Sequence, residues 1–343
     1  MIFNSSLKIG LPIFIAAAFG AVSLSGCSED YRVSDQIVDL EKDNESLTGG
    51  YTLRLVEADT SGCKIWIHAH PYDIVENLTW SGNCYEGLAT GEGHATIKFA
   101  GVNPDETSYS GNYSKGLLNG YGELEEHANS VNGDTYFKSY HGQWIDGHRH
   151  GDGEQVYKSI ATDGDTYTQN WTGHFEQNEL WGRGRYIVIR KIIDGSMETI
   201  TKEGDWQNHF LHGQGTEVVE KTSKSGSHSR KKYTGSWAAG TKTGFGKETT
   251  KGIEMFNTEY EGSFRYGLPE GLGVVIHSNG DSFEGDWADG FPNKGRCDFK
   301  TVGYSGPCKT YEYMTSQYSG MICLGVKKGK ENCLPAFRRY WVN

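Results

Sequence analysis

Between residues 80 and 296 one skeleton is repeated eight times. Aromatic, glycine, aromatic and three further glycines stand at offsets 0, 2, 4, 7, 11 and 13, as in Tyr140, Gly142, Trp144, Gly147, Gly151 and Gly153. The other copies start at Trp80, Tyr109, Trp171, Lys202, Tyr233, Tyr260 and Phe283, and successive starts lie 29, 31, 31, 31, 31, 27 and 23 residues apart. No other feature limits the fold so tightly. Residues two apart share one face of a strand, because side chains alternate. The small residue between the aromatics leaves room for a ring from a neighbouring strand. The next glycines permit positive φ and a tight reversal, and the final G-x-G opens the return strand. Each copy therefore reads as a hairpin, marginal alone and stabilised by stacking on its neighbours. The expected fold is all-β, an elongated single-layer antiparallel hairpin array with disulfide-stapled end caps.

The longer spacing is informative. Where copies lie 31 residues apart, a further glycine precedes the next aromatic by seven: Gly133, Gly164, Gly195 and Gly226. Turn formers surround it, as in VNGDTY and TDGDTY. Each strand should therefore gain about four residues at one edge, or about 13 Å of width. The sheet is expected to be broad over most of its length and narrow at its C-terminal end.

The pattern Y-x-G-x-W-x-x-G-x-x-x-G-x-G resembles the MORN repeat. The resemblance covers residues 80–296, with departures at Cys84, Asn178, Lys202, His209 and Lys294. Arrays of this family accompany catalytic domains or act as scaffolds, and have been proposed to bind phospholipid. No segment here is left over for a catalytic domain, so the resemblance implies a non-catalytic scaffold or binding protein without cofactor.

Residues 1–26 read as a lipoprotein signal peptide. Lys8 is the only charge before an apolar run from Ile9 to Val22, which suits a signal core better than a membrane span. Leu24-Ser25-Gly26-Cys27 resembles the bacterial lipobox, which implies cleavage before Cys27 and lipid on its sulfur and new amino group. Ser28 in place of the aspartate of inner-membrane retention leans toward the outer membrane. Residues 27–50 are acidic and polar, and read as a flexible tether. Residues 51–79 and 297–343 read as N-terminal and C-terminal caps on sheet ends that would otherwise be exposed. A net charge of −11 disfavours nucleic acid as partner and a general hold on anionic lipid.

Beyond Cys27 six cysteines remain, an even number that suits disulfides in an exported chain. Cys84 stands at offset 4, where an aromatic is usual, so a Cys63–Cys84 bond is expected to replace an aromatic contact at the start of the array. Among three connectivities for the other four, the local pairs Cys297–Cys308 and Cys323–Cys333 are preferred.

Candidate sites are few. His141, His148, His150 and Asp152 sit around one turn, but Arg149 stands between two of the histidines and the turn is solvated, so no metal site is expected. The glycines there suit a hairpin, since a phosphate loop needs a helix start and Lys-Ser or Lys-Thr. Asp163 and Asp165 lack the glycine and closing glutamate of a calcium loop. His68 and His70 share a strand face and would be the core of an alternative reading as an envelope hydrolase. One basic cluster, Lys221, Lys224, Arg230, Lys231 and Lys232, suggests lipid head groups or another polyanion. By parity Tyr140, Trp144, Trp171, Phe175, Trp206, Tyr233 and Trp237 share a face, which Tyr136 and Tyr167 extend into the added width. Tyr136, Tyr167, Lys231 and Lys232 are the expected binding residues. The partner is expected to be a protein or envelope component, with the membrane reached through the lipid; self-assembly into a structural element is the further alternative.

Overall fold

A computed structural model of the chain describes residues 52–69, 73–100, 106–130, 132–252, 257–300, 303–311, 321–324 and 332–334, all within the unit Tyr51–Asn343. Residues 1–50, where a signal peptide, Cys27 lipidation and a tether are expected, and His70 lie outside the described residues. Among the described residues there are strands and no helix. An N-terminal hairpin comprises β1 (Thr52–Glu57) and β2 (Lys64–Ala69). The sheet then opens with β3 (Ile74–Trp80), β4 (Asn83–Tyr85), β5 (Leu88–Ala100), β6 (Glu106–Ser114) and β7 (Leu117–Asn129). Its middle comprises β8 (Thr135–Ile145), β9 (His148–Ile160), β10 (Thr166–Glu176), β11 (Glu179–Lys191), β12 (Met197–Gln207), β13 (Phe210–Thr222), β14 (His228–Ala238) and β15 (Thr241–Lys251). It ends with β16 (Thr258–Arg265), β17 (Leu268–His277), β18 (Ser282–Ala288), β19 (Phe291–Phe299), β20 (Tyr304–Tyr311), β21 (Met321–Leu324) and β22 (Asn332–Leu334). From β5 onward each strand pairs antiparallel with the next, giving an open meander.

Each repeat is a hairpin whose short turn has positive φ at both central residues, as at Asp146 (49°) and Gly147 (79°). That is the type I′ geometry whose twist matches the flanking strands. Asn178 and His209 hold the second position at φ 75° and 63°, and their side chains compensate. Asn178 Oδ1 accepts from Arg149 N at 2.9 Å, and His209 Nδ1 from Leu180 N at 3.2 Å. The turn glycine's own N–H donates to the preceding hairpin, as Gly147 N does to Leu118 O at 2.9 Å, so each turn ties two repeats together.

The long turns fall where the extra glycines predict them. Gly133, Gly164, Gly195 and Gly226 all have φ between 84° and 99°. Strands β8 to β15 run 11 or 13 residues, against 7 for β18 and 9 for β19, so the sheet narrows toward its C-terminal end.

The central glycines admit a different ring from the one expected. Gly142 opposes Gly153 across the hairpin, and the ring of Tyr140, on the same strand as Gly142, lies over the pair. A Cβ on Gly153 would meet Tyr140 Cζ at 2.6 Å. Tyr233 and Tyr260 do the same in their copies. In the copies starting at Tyr109, Trp171 and Lys202 a leucine at offset 9 covers the glycines instead: Leu118, Leu180 and Leu211. The neighbouring strand supplies the second aromatic, and Trp144 Nε1 donates to Gly122 O of the preceding hairpin at 3.2 Å.

At the N-terminal end β2 lies across the short turns, with Lys64 N donating to Gly87 O and Trp66 N to Gly116 O. Its Ile65, Ile67 and Ala69 join the buried core. Disulfides join Cys63 to Cys84 and Cys297 to Cys308, with Cα atoms 5.7 and 5.8 Å apart. Cys323 and Cys333 are opposed in backbone register between β21 and β22; their side chains are outside those described.

Candidate functional site

One row of side chains crosses the middle of the sheet, with the members of each opposed pair on the same face. It runs Tyr109, Leu124, Tyr140, Gln155, Trp171, Tyr186, Lys202, Glu217, Tyr233, Glu248 and Tyr260. The parity assigned from sequence to Tyr140, Trp171 and Tyr233 therefore matches the observed register. The motif aromatics in it are buried, Tyr140 at 0% exposure and Trp171 at 5%. They fill the face by packing edge-on, as Tyr140 does on Trp144 and Phe175 at 5.0 and 5.3 Å.

The added width carries a different set on the same face. Tyr136 on β8 and Tyr167 on β10 are half-buried, with Tyr157 of β9 between them at ring distances of 6.4 and 6.3 Å. Tyr157, which the sequence reading left out, faces Lys138 on one side and Gln169 on the other. Burial pushes its hydroxyl up to about 12. Gln169 donates to Tyr167 Oη, and the Arg190 guanidinium sits over the Tyr167 ring at 5.6 Å. Arg190 and Lys221 share Glu198 at 2.6 and 3.1 Å, and Lys138 meets Glu126 at 3.0 Å. Two buried atoms on this face have no hydrogen-bond partner, Gln155 Oε1 in the central row and Arg190 Nε in the added width.

Lys231 and Lys232, grouped in the sequence, lie on opposite faces. Lys231 is two residues from Tyr233 and shares its face, while Lys232 opposes Val218 on the other. Three members of the basic cluster are engaged by carboxylates: Lys221 with Glu198, Arg230 with Glu220 at 3.1 Å and Lys231 with Glu248 at 2.9 Å. The charge that would attract a polyanion is largely met within the sheet.

Among the described residues the candidate histidines meet in pairs. His148 and His68 rings stand 6.0 Å apart, His150 is near His174 at 6.1 Å, and His141 bonds Tyr121 Oη at 2.8 Å. Burial first, then the neighbouring His148, lowers the His68 pKa. Among the described residues no three metal-ligating side chains converge. His209 is the more perturbed, since burial and then the Arg149 charge push its imidazole down to about 4. A depressed imidazole stabilises the fold above its unfolded pKa of about 6.5 and loses that contribution as pH falls toward 4. His209→Asn, which keeps the acceptor and the conformation seen at Asn178, should weaken this acid sensitivity by the order of 1 kcal/mol between pH 7 and 5. Urea unfolding of both chains at the two pH values measures it.

The opposite face bears an open groove of about 820 Å³ in its C-terminal part, with Phe245, Leu272, Val274 and Ile276 beside Glu259, Glu261 and Glu284. Phe245 and Leu272 are the residues between the glycines of G-x-G, which alternation places away from the aromatic face. No curated protein matches the chain. The family model described as MORN repeat matches residues 109–125, 140–159, 203–218, 233–251 and 260–282, so MORN repeats stand in five places along this sheet.

Proposed function

We propose that this chain is a non-catalytic, lipid-anchored binding and scaffold protein of a bacterial envelope, holding a protein or envelope partner on the widened band of its aromatic face. The observation that carries the reading is the position of Tyr136, Tyr157 and Tyr167, half-buried on the face that the motif aromatics otherwise close, and outside the skeleton a hairpin needs. The MORN repeats support a scaffold. The leader and Leu24-Ser25-Gly26-Cys27 support the anchor and an outer-membrane location. The pairing of three members of the basic cluster with carboxylates favours this reading over phospholipid binding.

Changing Tyr136 and Tyr167 together to serine should leave the β-sheet circular dichroism spectrum unchanged and reduce cross-linking of the native partner in intact cells. Unfolding, or undiminished cross-linking, would remove the band from consideration. Cys27→Ala should release the protein from membranes or leave an uncleaved precursor. Unaltered fractionation and mature mass would refute the anchor.

A further inference from the structure

The array contains its own comparison. In the copy starting at Tyr233 the residue at offset 9 is Lys242, whose Nζ reaches Glu217 and Glu248 at 3.0 Å each. In the copy starting at Tyr140 the same offset is Arg149, which turns away: it donates to Asn178 O at 2.8 Å and lies over Tyr140 and Phe175. Gln155 opposes Tyr140 as Glu248 opposes Tyr233, is 6% exposed, and is left with Oε1 unpartnered. Two strands away Arg190 Nε is also buried and unpartnered. A buried acceptor without a donor costs stability, and Leu124 shows that this row accepts an apolar side chain. The aromatic face therefore keeps one unused acceptor on β9, in the central row, and one unused donor on β11, in the added width, with Tyr167 on the strand between them.

We propose that this band binds an uncharged oligosaccharide or polysaccharide, a proposal that rests on the aromatic-face reading above and names its ligand. A pyranose ring has an apolar C–H face that lies on a tyrosine ring. Its rim of hydroxyls both donates and accepts, so successive rings of one chain supply a donor for Gln155 Oε1 and an acceptor for Arg190 Nε. The cations of the band already face carboxylates, Lys138 on Glu126 and Arg190 on Glu198, so a neutral ligand fits better than an anionic one. Buried Gln155 and Gln169 break the continuous apolar strip that an amphipathic helix would need. Tyr136, Tyr157 and Tyr167 are the half-buried part of the face and stand on three successive strands, which suits a chain laid across them.

Calorimetric titration of the full chain in detergent, with maltohexaose, cellohexaose and chitohexaose as probes and dextran sulfate as the anionic control, tests this. At least one neutral hexasaccharide should bind with a submillimolar Kd, and Tyr157→Ala should weaken it about tenfold without changing the circular dichroism spectrum. Gln155→Leu should raise Tm, because the unpartnered acceptor is gone, and weaken binding about tenfold. A merely structural glutamine would instead lower Tm on replacement. Binding of none of the three sugars, tighter binding of dextran sulfate, or full affinity in Gln155→Leu would overturn the proposal. If no sugar binds while cross-linking of a partner still depends on Tyr136 and Tyr167, the sugar is wrong and the binding face stands.

Discussion

A Gly142→Ala chain is expected to lose about 3 kcal/mol of stability, the upper end for overpacking a core. The added Cβ would meet Tyr140 Oη at 2.6 Å, Gly153 Cα at 2.7 Å and Asp152 O at 2.8 Å. Two of those atoms are backbone of β9, so relief requires parting β8 from β9 and weakening their ladder. The third cannot yield either. Tyr140 is fully buried, its hydroxyl donates to Gln143 O at 3.1 Å, and Trp144 and Phe175 hold its ring edge-on. Gly195→Ala is the control, because φ there is 94° but nothing lies within 4 Å of the new atom. It carries only the left-handed backbone strain, about 1–2 kcal/mol. Urea denaturation of the two variants separates the causes. Equal losses would mean that conformational freedom, not the ring laid over a glycine pair, explains why the skeleton needs glycine at offset 2.

The hairpins and the added width were legible because they depend on strong local chemistry. Aromatic–glycine alternation sets the face, paired positive φ sets the short turn, and Gly133, Gly164, Gly195 and Gly226 set the long one. The opposite placement of Lys231 and Lys232 was equally legible, since adjacent residues on a strand point apart; grouping them by charge hid it. What covers each glycine pair was not legible. Offset 9 is free in the motif, yet where it is leucine, as at Leu180, the leucine covers the glycines, and where it is Arg149, Lys242 or Pro269 the tyrosine of the same copy does. Tyr157 and Gln155 could have been found only by carrying the register across both turns, from Tyr140 to Gln155 and from Gln169 to Tyr157. A motif records what one hairpin needs; these residues answer to the next hairpin along.

The Lys242 bridge is where such a contact between repeats should matter most. Glu217 and Glu248 flank Tyr233 in the row, and Lys242 lies between them, 4.9 Å above the Tyr233 ring. The lysine and Glu248 side chains are only 13% and 5% exposed. Burial disfavours the ammonium, but Glu248 and Glu217 outweigh it and raise the Lys242 pKa. Removing one partner of a buried ion pair leaves the other charge uncompensated, which costs about 3–5 kcal/mol. Lys231 on Glu248 and Lys202 on Glu217 at 3.8 Å remain, so Lys242→Ala should sit at the lower end, about 3 kcal/mol by urea denaturation. The charge is tested separately from the packing. Lys242→Met combined with Glu217→Gln and Glu248→Gln should recover most of the loss, because no carboxylate is then stranded and the lysines that lose a partner, Lys231 and Lys202, are 41% and 24% exposed to water. The pH dependence follows from the sign of the shift: the bridge contributes fully below the usual lysine range and is lost as pH rises through the raised Lys242 value. The gap between parent and Lys242→Met should therefore close on alkaline titration. A gap that persists unchanged, or a triple variant no more stable than Lys242→Ala, would assign the effect to the lysine's alkyl chain packed on Tyr233 and Trp237 and not to its charge.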